Sequence, residues 1–138
     1  MGLKIPPYRI DRLTNTAEDF YSTMGPFLSR REVVAELGSP VWDDDGKQWL
    51  IARTSEDVFG FVSVQPFAKT VWVRSFYVVP DARQEAIGAA LIQRVLDLWP
   101  ATPLKATATE ASVNLFAAYG FHPTRSKGAF TTMERPAT

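Results

Sequence analysis

The chain has 138 residues, room for one domain with its own core and too few for two. Lys+Arg and Asp+Glu both number 15, so no net charge draws the whole protein to nucleic acid or an acidic membrane, although a local basic patch is left open. Cysteine is absent and His122 is the single histidine, which excludes disulfides, thiol nucleophiles and Cys-ligated or His-rich metal sites.

Residues 1–138 are read as a single domain. The first residues, "MGLKIPPYRI", carry no apolar signal region, and no apolar run reaches membrane-spanning length. A cytoplasmic protein without a membrane segment is therefore expected. "YRIDRL" (Tyr8 to Leu13) alternates and predicts a strand. A helix starting at Thr16 follows, with Asp19 completing a near capping box, a stripe of Ala17, Phe20, Tyr21 and Met24, and a stop at Gly25-Pro26. Ser29 and Glu32 box a second helix with the stripe Val33, Val34 and Leu37, closed by Gly38 and Pro40.

Strands are predicted over about Gln48 to Thr54, Val58 to Gln65 and Thr70 to Val79, joined by hairpin-like connectors. A long helix over about Arg83 to Trp99 presents Ile87, Leu91, Val95 and Leu98 on one face. "LKATAT" (Leu104 to Thr109) is a strand and "ASVNLFAAY" (Ala111 to Tyr119) a short helix stopped by Gly120. "FHPTRS" and "AFTTMER" are the last strands. The order β-α-α-β-β-β-α-β-α-β-β is not a regular alternation. It predicts an α+β fold with a mixed, mostly antiparallel sheet, whose one parallel pair comes from the strand–helix–strand unit at Thr70 to Thr109.

Within that unit, "PDARQEAIGAALIQRVL" (Pro80 to Leu96) places small residues where a strand hands over to a helix. Unsatisfied N–H groups and the helix dipole make such a terminus an anion site, and small side chains let a phosphate approach the backbone. Close helix–sheet packing explains the same residues as well. Neither a G-x-x-x-x-G-K-[ST] loop nor G-x-G-x-x-G occurs.

The segment Arg83-Gln84-Glu85-Ala86-Ile87-Gly88 resembles the [QR]-x-x-G-x-[GA] motif of the GCN5-related N-acetyltransferases, the GNAT family. Val78-Val79-Pro80 matches the family's lead-in, "NLFAAYGF" its closing Gly-Phe helix, and the element order agrees over essentially the whole chain. The resemblance implies a GNAT-like acyl-CoA N-acyltransferase fold, acetyl-CoA as cofactor, and a small-molecule or peptide amine as acceptor. It implies diphosphate binding by Arg83, Gln84, Ala86, Ile87, Gly88 and Ala89. Backbone groups at a strand bulge around Phe76, Tyr77 and Val78 would polarise the thioester, and Thr109 and Phe116 would lie along the cofactor arm.

Three departures from the family pattern stand out. Ala86 replaces the first motif glycine; alanine holds a helical conformation and keeps its N–H, so the site is expected to fail only if that position needs positive φ. Phe116 stands where the family often has a proton-donating tyrosine, Tyr119 being a core residue rather than a substitute, and Thr109 stands where an asparagine is common. The strand "TVWVRSFY" lacks the glutamate that often takes the amine's proton. Glu110 is then the candidate catalytic carboxylate, with a plain first-turn acid stabilised by the helix dipole as the preferred alternative. Loss of acid–base help slows such a transfer by about 10²–10⁴-fold without forbidding it.

The other marked residues read as structural. Asp43 to Gly46 lacks calcium-loop spacing and is a solvated turn. Arg74 is an exposed arginine paired with an acid, or else a selector for an anionic acceptor. His122 is an exposed strand-end residue, and Arg30 and Arg31 sit on a solvated helix start. Phe27, Trp42, Trp49 and Trp72 are expected along the acceptor groove. No metal and no nucleic-acid partner are expected, and monomer and homodimer stay open. Two rival readings remain: an acyl-CoA-binding module without turnover, and an acyltransferase acting on a protein, tRNA or DNA.

Overall fold

The computed structural model describes residues 6–28, 30–37, 46–83 and 86–137. Ser29, the Gly38–Pro40 stop, Trp42, the aspartates at 43–45 and Gln84 lie outside the described residues. The elements are β1 (Arg9–Leu13), α1 (Phe20–Leu28), α2 (Arg31–Leu37), β2 (Gln48–Arg53), β3 (Val58–Pro66), β4 (Val71–Val78), α3 (Ile87–Leu98), β5 (Leu104–Thr109), α4 (Val113–Ala118), β6 (His122–Lys127) and β7 (Phe130–Arg135). They follow the expected order. The strands form one sheet, β1-β2-β3-β4-β5-β7-β6, in which β4 and β5 are parallel and every other pair is antiparallel.

Alternation along the strands supplies both faces of the sheet. Trp49, Ile51, Phe61 and Tyr77 meet Phe20, Met24, Phe27, Val33 and Leu37 of α1 and α2. The neighbouring positions Leu50, Ala52, Val62 and Val64 meet Ile87, Leu91, Ile92 and Val95 of α3 and Phe116 of α4. Among the described residues no helix is long and apolar enough to cross a membrane.

Two helices depart from expectation. Residues Thr14 to Asp19 form turns, with Ala17 N–H donating to the Thr14 carbonyl at 3.0 Å, so α1 opens at Phe20 rather than Thr16. Its Pro26 lies inside the helix, where a stop was expected. Burial of Phe20, Met24 and Phe27 on one side carries the helix a turn further, offsetting the hydrogen bond proline cannot make. Tyr21, placed in the apolar stripe by sequence, is 54% exposed. The long helix starts at Ile87 rather than Arg83, because Pro80–Ala82 close a 3₁₀ turn and Ala86 is left-handed.

Arg53 ties this half together. Its guanidinium reaches Asp11 at 2.8 Å, Asp19 at 2.9 Å and Thr23 Oγ1 at 2.9 Å, joining β1, β2 and α1. Burial acts to raise the Asp11 carboxyl, but hydrogen bonds from Arg53 and Arg9 outweigh it and hold the group below its ordinary value.

Where β3 faces the end of β4, Gly60 pairs with Val78, and an added Cβ would sit 2.9 Å from the Tyr77 carbonyl oxygen. That oxygen is backbone and cannot swing aside. Gly60→Ala is expected to lower stability by about 1–3 kcal/mol, read as a fall in the urea midpoint; an unchanged midpoint would show the strands to be further apart here.

Candidate functional site

β4 and β5 share only the pairs Val71↔Leu104, Trp72↔Lys105 and Val73↔Ala106. Beyond them β4 stays with β3 as far as Val78↔Gly60, while β5 stays with β7 as far as Thr109↔Phe130. The two strands therefore part. The register of β4 against β3 slips between Ser63↔Ser75 and Val64↔Val73, which makes Arg74 the extra residue of a bulge. Ser63 Oγ fills the break by accepting the Ser75 N–H at 3.1 Å. The bulge thus falls at Arg74, upstream of the expected Phe76 to Val78, at the point where pairing with β5 ends.

Val79 N–H donates to the Phe59 carbonyl at 2.9 Å, toward β3. Alternation turns the Tyr77 N–H the same way and those of Phe76 and Val78 toward the gap. The Val78 carbonyl faces that gap too, since it accepts the Arg83 Nε–H at 2.9 Å.

The open end of the gap meets the start of α3. Ala86, the residue before the helix, has φ 59° and ψ 21° and makes no side-chain cap. The N–H groups of Ile87, Gly88 and Ala89 in the first turn thus have no intrahelical acceptor. A left-handed residue followed by helical ones curls successive N–H groups inward, the backbone form of an anion nest. A helical conformation was expected of Ala86, and its φ is positive instead. The penalty for alanine there is about 1–2 kcal/mol, so the turn is strained but held.

A cavity of ≈ 220 Å³ fills the junction. Phe76, Val78, Arg83, Ala86, Gly88, Ala89 and Thr109, all singled out from sequence, line it. Gly88 also serves packing: a Cβ there would lie 2.9 Å from Leu115 Cδ2 and 3.0 Å from the Phe76 ring. Three of the described residues predicted to bind the cofactor lie elsewhere. Ile87 is fully buried in the core, leaving only its N–H for the cleft. Phe116 is packed between Phe76 (5.6 Å) and Phe121 (5.1 Å) and supports the wall from behind. Tyr77 points to the opposite face, against Phe61 (5.9 Å) and Phe27 (6.5 Å). Burial, with the Glu36 carboxylate adding, raises its hydroxyl above the ordinary value.

A second cavity of ≈ 450 Å³ is lined by Glu110 and shares Glu36, Thr109 and Ala111 with the first. Glu36, on α2, pairs with the Arg83 guanidinium. No local pattern marks it, because it reaches the cleft only through the docking of α2. Ser112 was also missed: its buried Oγ accepts the Thr109 N–H at 3.0 Å and holds the end of β5. A short-range signal for it existed in the T-x-x-S spacing at the start of the helix.

Of the aromatics expected along an acceptor groove, Phe27, Trp49 and Trp72 are described. Trp49 is fully buried and Phe27 nearly so, while Trp72 is capped by Arg74 at 4.7 Å and Lys105 at 5.5 Å. Arg74 donates to Gln65 Oε1 at 3.2 Å, and among the described residues it pairs with no acid. His122 is exposed at the start of β6.

A family model described as "Acetyltransferase (GNAT) domain" matches residues 45–123. A search of curated protein sequences finds no significant match. Solved structures similar to the chain include Escherichia coli ElaA, at 18% identity and TM-score 0.74, covering 94% of this chain and 99% of that one. An acyl-CoA N-acyltransferase from Pseudomonas aeruginosa aligns at 16% identity and TM-score 0.75 over 94% of this chain and 99% of its own. A GNAT family acetyltransferase from Elizabethkingia anophelis, solved with acetyl-CoA bound, aligns at 13% identity and TM-score 0.63 over 94% and 97%. At these identities the likeness is one of fold.

The strain at Ala86 makes a direct prediction. Ala86→Gly removes the left-handed penalty and adds a smaller unfolded-state entropy, for a net gain of about 0.5–1 kcal/mol. The urea midpoint should rise; an unchanged or lower midpoint would mean that the left-handed turn does not form in solution.

Proposed function

The chain belongs to the GNAT acetyltransferase family, and on that premise we propose that it transfers an acetyl group from acetyl-CoA to an amine acceptor. The observation that carries this reading is the first turn of α3, which has no side-chain cap among the described residues, opening behind a left-handed Ala86 into the cleft between two parted strands. Donors without intrahelical acceptors, small side chains and the positive end of a helix dipole together suit a diphosphate. The N–H groups of Ala86, Ile87, Gly88 and Ala89 take that role, with Arg83 lining the same cleft.

The gap between β4 and β5 suits an extended arm that can pair with strand edges. Phe76 and Val78 offer it N–H groups, Thr109 forms the opposite wall, and Phe116 fixes the Phe76 ring. A thioester carbonyl accepting one of these N–H groups gains the fixed-dipole stabilisation that is often the largest catalytic contribution. Holding donor and acceptor side by side contributes on a similar scale. Glu110 lines the neighbouring cavity.

A second reading has one observation behind it. Phe116 has no proton to give and lies in the core at 1% exposure, so no side-chain acid stands in for the family's tyrosine at that position. A cofactor-binding protein without turnover would look the same. Release of free thiol from acetyl-CoA in the presence of amines separates the two.

Ala89→Glu tests the diphosphate site with opposed signs. A carboxylate in the first turn favours the helix by about 0.3–1 kcal/mol, so the fold should hold or gain slightly. The same charge repels the diphosphate, and calorimetric affinity for coenzyme A should fall at least about ten-fold, or 1.4 kcal/mol. Unchanged affinity would remove the helix start from the binding site.

A further inference from the structure

Residues paired across neighbouring strands share one face of a sheet, and alternation sends the next residues to the other face. In β5 and β7, Leu104, Ala106, Ala108 and Met133 face the core under α3 and α4. The residues between them face the side on which α1 and α2 pack. The core that α1 and α2 form there takes in residues of β1 to β4, and none of β5, β6 or β7. That side of β5, β7 and β6 is therefore left open among the described residues, and the edge strand β6 is exposed throughout.

Three rows cross the open face. The first, Thr109–Phe130–Lys127, begins at the cofactor cleft and shares Thr109 and Phe130 with the ≈ 450 Å³ cavity. The second is Thr107–Thr132–Arg125, and the third Trp72–Lys105–Glu134–His122. Two residues along a strand separate neighbouring rows by about 7 Å. Arg74 joins the third row from the bulge, its guanidinium 4.7 Å from the centre of the Trp72 ring, and Lys105 stands 5.5 Å from the same ring. Four cations, Arg74, Lys105, Arg125 and Lys127, thus face one carboxylate, Glu134, which pairs with Lys105 at 3.7 Å. Arg125 and Lys127 make no ion pair among the described residues.

This charge pattern selects an occupant. A second copy docking by the same face would bring the same cations and be repelled. A nucleic acid would meet Glu134 in the middle of the face, and four cations on a chain with no net charge hold a polyanion weakly at physiological salt. An extended acidic peptide matches the spacing instead: carboxylates at alternate residues meet successive rows, and one end of the peptide reaches the cavity.

Resting on the acetyl-transfer reading above, we infer that the acceptor is the amino end of an acidic peptide, laid in extended form across this face, with its carboxylates on Lys127, Arg125, Lys105 and Arg74 and its amine at the cavity. In the transfer the amine nitrogen bonds to the acetyl carbon. The carbon–sulfur bond breaks with its electron pair going to sulfur, and the proton released by the amine ends on that thiolate.

The test uses the full chain and three short peptides with a free N-terminal alanine, which differ only in carrying glutamate, glutamine or lysine at the following positions. Fluorescence anisotropy gives peptide affinity, with and without coenzyme A, and thiol release from acetyl-CoA gives kcat and KM. The glutamate peptide should bind about ten-fold more tightly than the glutamine peptide, the sum of several exposed ion pairs, and the lysine peptide most weakly. The difference should lie in KM rather than kcat, and should fade in about 0.5 M salt. Arg125→Glu combined with Lys127→Glu should invert the order of the glutamate and lysine peptides, while calorimetric affinity for coenzyme A stays within about two-fold.

Equal affinity for the three peptides, an unchanged order in the double variant, or tighter binding of a single-stranded oligonucleotide of the same charge would each overturn the inference and leave the acetyl-transfer reading standing. No binding of coenzyme A and no thiol release would instead overturn that reading. The anisotropy measured without cofactor would then decide the docking face by itself.

Discussion

Between Val73 and Arg74 the centre of the sheet changes character. Up to that point β4 is hydrogen-bonded on both sides; after it, the extra residue at Arg74 turns the strand away from β5. A parallel pair that stayed zipped would have spent the N–H groups of Phe76 and Val78 on its neighbour. Parting leaves them facing a gap, and α3 begins at the gap's open end. The cleft is thus a consequence of one inserted residue, stabilised by Ser63 Oγ in place of a lost ladder bond.

The same end of the sheet carries concentrated backbone demands. Gly60 allows β3 to close on Tyr77, Gly88 allows α3 to close on Phe76 and Leu115, and Ala86 takes a conformation that glycine would take without strain. Two glycines serve packing and one alanine bears strain, so small size here is not a single signal. The Ala86 turn is held from both sides: Arg83 reaches back to Val78, and Ile87, first in the helix, is fully buried. A few kcal/mol of local cost is tolerable in a domain with two packed faces, and such cost tends to gather where backbone groups must be presented rather than buried.

Strand positions were legible because alternation is a local property: Leu104 to Thr109 was read with its observed bounds, and the apolar stripe of Ile87, Leu91 and Val95 is the buried one. Element order, and with it the fold, followed. The misreadings arose where a distant contact overrode a local preference. Pro26 reads as a stop, yet Phe27 beyond it is drawn into the core. The four residues before Ile87 fit a helical pattern until the left-handed turn at Ala86 is known. Glu36 has no motif, because α2 must dock before its carboxylate meets Arg83. Phe116 was assigned from a family position, while its ring is claimed by Phe76 and Phe121.

The account rests on first-turn amides of α3 being donors held open for an anion. Backbone amide NMR of the labelled chain, titrated with coenzyme A, reads those groups directly. The amide signals of Ala86, Ile87, Gly88 and Ala89 should shift together and saturably, and should shift far less with the pantetheine arm alone. Signals that stay in place while coenzyme A binds elsewhere, or that do not respond at all, would contradict the account at its base.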